Sequence, residues 1–223
     1  MRILLALTAV LAAGTPNVSK LILAPTQVGT GYVELQRQDG KGVVNTVTLD
    51  LCGTAGYPSE KLRTSRLQVN YLKQGGTLGL SNEVVTYRPG GAAQAIREAL
   101  HHAKTCPNRP IATGEPGVPP LLYTITRFHD SHLLKGYLAV KIRVRGTIKV
   151  KVTKKVKGKS TTTVQAHKVD TTSYAIYQRL GNVLSGTYSY GPNTPAQLHF
   201  ALHAAEQSAE NLRRGHNAAS PVA

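Results

Sequence analysis

Tryptophan is absent from this sequence, phenylalanine occurs twice, and only 11 acidic residues stand against 27 Lys and Arg. Each scarcity excludes something. Acid–base catalysis needs placed carboxylates. Here they are scattered, with Asp50 beside Cys52 and with Glu60 and Glu83 in a strand-forming region, at no recognisable spacing. The two cysteines, Cys52 and Cys106, have no second pair nearby and cannot build a zinc site alone. No apolar run approaches the roughly 20 residues that a membrane-spanning helix needs. The 41% hydrophobic content is ordinary, and 223 residues suffice for one domain with a sizeable core, or at most two small ones.

The positive charge is abundant and local. Between Asp130 and Asp170 there are eleven Lys and Arg and no acid, which leaves +5 of the +16 net charge for the rest of the chain. The centre of it is "KIRVRGTIKVKVTKKVKGKS", Lys141 to Ser160, with nine positive charges. Lys141, Arg143, Arg145, Lys149 and Lys151 alternate with Ile142, Val144, Ile148, Val150 and Val152, and Gly146-Thr147 keeps the phase. An extended chain of this pattern has one basic and one apolar face. The pattern predicts a projecting β-hairpin over 136–170 that bends at Gly146, turns near Lys157-Gly158-Lys159 and returns through "STTTVQAHKV". Its candidates for binding a polyanion are Lys141, Arg143, Arg145, Lys149, Lys151, Lys154, Lys155, Lys157 and Lys159. Nucleic acid is a poor fit, because the arm has almost no aromatic residue to stack on bases. Wall polymer and acidic phospholipid are better ones, and the alternative is that the lysines only guard an exposed strand edge. "GKS" at 158–160 is no phosphate loop: Thr153 stands where the first glycine should, and "TTTVQ" favours a strand over the required helix.

The start, "MRILLALTAVLAAGTPNVSK", has one Arg, an apolar run from Ile3 to Ala13 and small residues at Ala12, Ala13 and Gly14. That is the layout of a secretory signal over 1–14, the alternative being a buried N-terminal element of a cytosolic protein. "LAAGT" has Thr15 where a lipoprotein would carry its acylated cysteine, so secretion or loose surface association is expected without a lipid anchor. In an exported protein Cys52 and Cys106 read most simply as a disulfide; in a cytosolic one they would be free thiols.

After a tether over 15–30, "NTVTLDL", "RLQVNYL" and "NEVVTY" read as strands. In "PGGAAQAIREALHHAKTCP", Ala92, Ala95, Ile96, Ala99, Leu100 and Ala103 make the stripe of an amphipathic helix stopped by Pro107. Beyond the Pro/Gly-rich "NRPIATGEPGVPP" come strands at "LLYTITRF" and "GYLAVKIRVRG". "DTTSYAIYQRLGNVLSGTYSYG" then forms a hairpin turning at Gly181-Asn182. Thr194-Pro195 opens a final helix with Leu198, Ala201, Leu202, Ala205 and Leu212 on its stripe. "NEVVTYRPGGAAQAIREALHHA" and "NVLSGTYSYGPNTPAQLHFALHAA" echo each other as strand, Gly/Pro turn and Ala-rich helix. The plan is a single α+β domain over 31–215: a mostly antiparallel sheet, two main helices packed on one face and the basic hairpin, followed by a flexible tail over 216–223.

His129, Asp130, Ser131 and His132 have the residue types of a hydrolytic triad, but as chain neighbours they do not supply its convergence. A metal site with His101 and His102 lacks a carboxylate cluster, and both of these histidines lie off the helix stripe on an expected exposed face.

The strand "NEVVTY" running into the Ala-rich helix that ends at Cys106, and "RLGNVLSGTY" running into the terminal helix, resemble the extracellular sensor domains of mycobacterial serine/threonine kinases and related actinobacterial lipoproteins. The likeness covers most of residues 24–215. It implies a sheet with helices bordering a cleft for an extracellular ligand, and it transfers no contact residue. Such domains usually carry more than one disulfide, whereas Cys52 and Cys106 allow only one. The expected function is a non-enzymatic, cofactor-free, sensor-like binding domain at the bacterial cell envelope. Its partner would be a small ligand or an envelope polyanion, with peripheral membrane or wall association. The alternatives are a polyanion binder acting through the hairpin, and an envelope hydrolase with no recognisable motif.

Overall fold

The computed structural model describes residues 17–39, 51, 57–106, 109–112, 118–156, 159–191 and 193–219. The expected signal over 1–14, nearly all of the "NTVTLDL" strand, Cys52 and Lys157 lie outside them. The elements in chain order are α1 (Pro25–Val28), β1 (Tyr32–Asp39), β2 (Arg63–Lys73), β3 (Gly79–Tyr87), α2 (Gly91–Thr105), β4 (Pro110–Ile111), β5 (Leu121–Arg127), β6 (Leu138–Val156), β7 (Lys159–Leu180), β8 (Val183–Gly191) and α3 (Pro195–Ala219). The strands form one antiparallel sheet in the order β1-β2-β3-β8-β7-β6-β5-β4. The α+β class with a mostly antiparallel sheet is as the sequence pattern predicts.

The placement of the helices is not. Alternating residues of the central strands pack against different helices. Val85, Leu138, Val140, Ala175, Tyr177 and Leu184 share a core with Ala92, Ala95, Ile96 and Ala99 of α2. The intervening Ala139, Tyr174 and Ile176 pack with Ala201 and Ala205 of α3, and Val84 and Val183 pack with Ala204 and Leu212. Because successive side chains of a strand point to opposite faces, α2 and α3 lie on opposite faces of the sheet. The echo between the halves therefore stops at the strand–helix order. The physical reason is visible in "EVV", "YAIY" and "VL": consecutive apolar residues, without polar alternation, demand cover on both sides.

The lead-in read as a tether is part of the core. Leu21, Ile22, Leu23 and Val28 are buried against α3 and β2–β3. The Leu23 amide donates to Asn82 Oδ1 (2.9 Å), its carbonyl accepts from the Tyr71 hydroxyl, and Asn211 Nδ2 of α3 donates to the Leu21 and Ile22 carbonyls (3.2 and 3.3 Å). A Cβ on Gly215 would meet Leu21 Cδ2 at 2.3 Å, so the helix needs glycine where the lead-in crosses it. α3 itself continues to Ala219, into the segment expected as a tail.

β6 and β7 stay in register from Leu138↔Tyr177 to Val156↔Lys159. Gly146 does not interrupt this ladder; instead the side chain of Leu121 occupies the space a Cβ there would need. Pairing of β5 with β6 ends at Leu122↔Arg145, and pairing of β7 with β8 ends at Thr172↔Gly191. Beyond those pairs β6 and β7 continue as a two-stranded ribbon with no flanking strand among the described residues. Thr153 and Thr162, hydrogen-bonded at 2.9 Å, form one of its cross-strand pairs.

Candidate functional site

The strand period sorts the predicted basic residues. Lys141, Arg143, Arg145, Lys149 and Lys151 share the α3-side face of β6, opposite Val144, Ile148, Val150 and Val152, as the sequence alternation requires. They are not equivalent. Lys141 is half-buried, with Nζ 5.9 Å from the centre of the Tyr174 ring. Arg143 donates through Nε and Nη2 to the two Asp170 oxygens (2.8 and 2.6 Å). That hydrogen bond holds the Asp170 carboxyl below the usual carboxylate range. These two cations are therefore committed to the root of the hairpin. Arg145, Lys149 and Lys151 are exposed, and Lys168 joins them from β7. Lys154, Lys155 and Lys159 lie on the ribbon opposite Thr161, Ser160 and Val156.

The α2 face gathers a second set that the sequence does not single out. Tyr57, Tyr87, Tyr123, Tyr177 and Tyr188 all belong to or border the α2 core. The rings of Tyr177 and Tyr188 meet edge to face at 6.0 Å. Burial pushes the Tyr177 hydroxyl far above its ordinary range. Two glycines give the rings their room: a Cβ on Gly186 would sit 2.3 Å from Tyr177 Cε1, and one on Gly79 2.2 Å from Tyr190 Cε2. Gly186→Ala is expected to destabilise the fold by about 1–3 kcal/mol through overpacking, measured as a lowered urea midpoint with unchanged slope. On the same face Arg66 Nε donates to Glu83 Oε1, with side chains only 4% and 7% exposed. Arg66 Nη2 donates to Gln68 Oε1 (3.1 Å), and Gln68 Nε2 to Ser81 Oγ (2.9 Å). Neighbouring Arg63 is paired with Glu60. A sequence signal existed in the polar residues alternating with Leu67, Val69 and Tyr71, but a polar strand face normally means solvent.

A cleft of about 400 Å³ opens between the end of β5 and the start of β6, lined by Arg127, Phe128, His129, Gly136, Tyr137 and Ala139. Its size suits a small molecule. His129 Nδ1 meets the Tyr137 hydroxyl, which also accepts from the Asp130 amide (3.1 Å). Asp130 Oδ1 accepts from the His132 amide (2.9 Å) and lies 3.1 Å from His132 Nδ1, which is 3.9 Å from Glu206 of α3. Among the described residues no group of three or more His, Cys, Asp or Glu is arranged to hold a metal ion. His101 is exposed as expected, but His102 is half-buried, with its ring 4.7 Å from that of Tyr57. Cys106 ends α2, its amide donating to the His102 carbonyl (2.9 Å), and packs against the α2 core.

No known protein family and no curated protein matches the sequence. Among the described residues no helix is long and apolar enough to cross a membrane. The structure is similar to the crystal structure of the extracellular domain of PknH from Mycobacterium tuberculosis. The TM-score is 0.53 over 88% of this chain and 98% of that one, at 11% sequence identity. The likeness at that identity is one of fold: the chain folds as an extracellular domain of this kind does.

Proposed function

We propose that this chain is an exported, non-catalytic binding domain with a sensor-like role at the bacterial cell envelope. The observation that carries the reading is the fold shared with an extracellular domain over 88% of the chain. The signal-like start and the Cys52/Cys106 pair support the same compartment, with the two thiols joined as a disulfide. The small ligand enters the cleft beside Tyr137, where the Arg127 guanidinium, the His129 ring and the Tyr137 hydroxyl offer hydrogen bonds beside the Phe128 ring. The Arg127 charge favours an anionic or carboxylate-bearing molecule. The test is to express the chain from Met1 in an actinobacterial host and fractionate the cells. The expected result is protein outside the cytoplasm, shortened by residues 1–14, with a small molecule detected by native mass spectrometry that is lost in Arg127→Ala/Tyr137→Phe. Full-length protein retained in the cytoplasm would overturn export. A ligand retained by the double variant would overturn the site.

A second reading has its own observation. The ribbon carries Lys149, Lys151 and Lys168 beyond the last flanking strands, with Arg145 in the last flanked pair at its base, which makes it a surface for an envelope polyanion, either wall polymer or acidic lipid. Edge protection alone is the competing account. Changing Lys149, Lys151, Lys154, Lys155 and Lys157 to Gln is expected to abolish binding to acidic vesicles at low salt. Wild-type binding should weaken steeply as salt rises, because the Debye length contracts from about 30 Å at 0.01 M to about 8 Å at 0.15 M. Vesicle sedimentation measures both, and binding that survives the five substitutions would leave edge protection as the account.

A further inference from the structure

We propose that the ribbon is an interfacial anchor whose apolar side chains enter the headgroup boundary of an acidic lipid bilayer. This rests on the polyanion reading and goes further, because it assigns a use to the apolar residues as well as to the charge.

Eleven cross-strand pairs, from Gly146↔Val169 to Val156↔Lys159, lie beyond the last residues that β5 and β8 pair. At about 3.3 Å per residue they reach roughly 36 Å from the sheet. A ribbon meant only to stand in water needs polar side chains on both faces, and much of the return strand has them: Thr162, Thr163, Gln165, His167 and Lys168 are all exposed. The outgoing strand does not follow that rule. Ile148, Val150 and Val152 recur at every second position on the face away from the lysines, with Val150 39% exposed; Val164, 60% exposed, is the cross-strand partner of Lys151 and lies on the basic face. Five large hydrophobic residues are exposed among the described ones, and two of them are on this ribbon.

The combination selects the partner. A wall polymer or other soluble polyanion is held by charge alone and leaves the row of Ile148, Val150 and Val152 in water. Base stacking is served best by Phe, Tyr or Trp, and residues 146–169 contain none of these. A bilayer surface with acidic headgroups uses both halves of the pattern. Apolar side chains sit about 5–10 Å into the headgroup–acyl boundary, while Lys and Arg stay at the level of the phosphates. The long stems of Arg145, Lys149, Lys151 and Lys168 can bend round the thin ribbon to reach that level from the far face. The inward half of the backbone N–H and C=O groups is paired within the ribbon, since its cross-strand ladder is unbroken. The outward edges lie shallow enough for water to satisfy the rest.

The absence of native tryptophan supplies a clean probe. Full-length protein carrying Val150→Trp has one tryptophan, at the proposed insertion point. Val33→Trp places one on β1, an exposed position at the opposite edge of the sheet. On vesicles of phosphatidylglycerol and phosphatidylcholine, the tryptophan at 150 is expected to shift to the blue and to be quenched by brominated lipid, while that at 33 is unchanged. The variant Ile148→Thr/Val150→Thr/Val152→Thr keeps β-branched side chains in the strands. It should partition at least tenfold more weakly onto these vesicles while binding soluble polyphosphate as wild type does, its circular dichroism and melting curve reporting an intact fold. Lysine-dependent binding to vesicles with no shift or quenching at position 150, and no loss in the threonine variant, would overturn insertion and leave charge-only binding, as to wall polymer. Failure to bind any acidic surface would overturn both readings.

Discussion

Glu83→Ala is expected to destabilise the fold by about 3–5 kcal/mol, because it removes one partner of a buried ion pair. For a chain of this size that is a fall in melting temperature of roughly 6–20 °C, read by calorimetry at neutral pH. Arg66 and Glu83 are 7% and 6% exposed, on adjacent strands β2 and β3 and on the α2 side of the sheet. The low exposure decides the magnitude. Once Glu83 is truncated, the buried Arg66 charge loses its carboxylate, and Gln68, at 3.1 Å, is a neutral acceptor that does not replace that charge. Arg66→Met/Glu83→Leu removes both charges and should recover most of the loss, since well-packed apolar residues can replace a buried ion pair at little net cost. The exposed Arg143–Asp170 pair is the internal control: Asp170→Asn should leave the melting temperature almost unchanged, as for surface pairs generally. A large effect at Asp170, or a negligible one at Glu83, would mean that burial does not set the rank of the two pairs.

Cys52→Ser/Cys106→Ser is the second large expected effect. In the chain-entropy account, closing a loop of this length restricts the unfolded chain by about 4 kcal/mol, an upper estimate. The loop so closed would hold Tyr57, β2, β3 and all of α2, so the crosslink would fasten the end of α2 to the edge of its own core. Chemical unfolding of wild type with and without reductant should reproduce the shift, and reductant should not move the Ser/Ser variant. A thiol count of two in unfolded, non-reduced protein would exclude the disulfide. The variant should still fold, because the core joining α2 to the sheet does not depend on the sulfurs.

The boundaries and types of most described elements are legible in the residues. "RLQVNYL" alternates and becomes β2, the Ala-rich stripe becomes α2, Gly181-Asn182 turns β7 into β8, and Thr194 Oγ1 accepts from the Gln197 amide at the start of α3. The basic ribbon is the plainest case, because a period of two over a long segment fixes both its conformation and which side chains share a face. β1 was missed: "YVELQRQD" is an edge strand, mostly exposed, with a bulge between Glu34 and Gln36 that breaks its alternation. The lead-in was misread because Leu21, Ile22 and Leu23 form too short an apolar run to declare a partner, and that partner, α3, lies nearly 190 residues away.

The sequence by itself determined an antiparallel α+β chain with two alanine-striped helices and one arm of alternating Lys or Arg and β-branched residues. Those properties follow from local periodicity, which needs no knowledge of distant neighbours. Tertiary structure alone decided that the helices take opposite faces, that Lys141 and Arg143 belong to the root while Lys149 and Lys151 project, and that five tyrosines and the Arg66–Glu83 pair collect on one side. Each depends on strand order and on where neighbouring strands stop. No window of sequence shorter than the sheet contains that information.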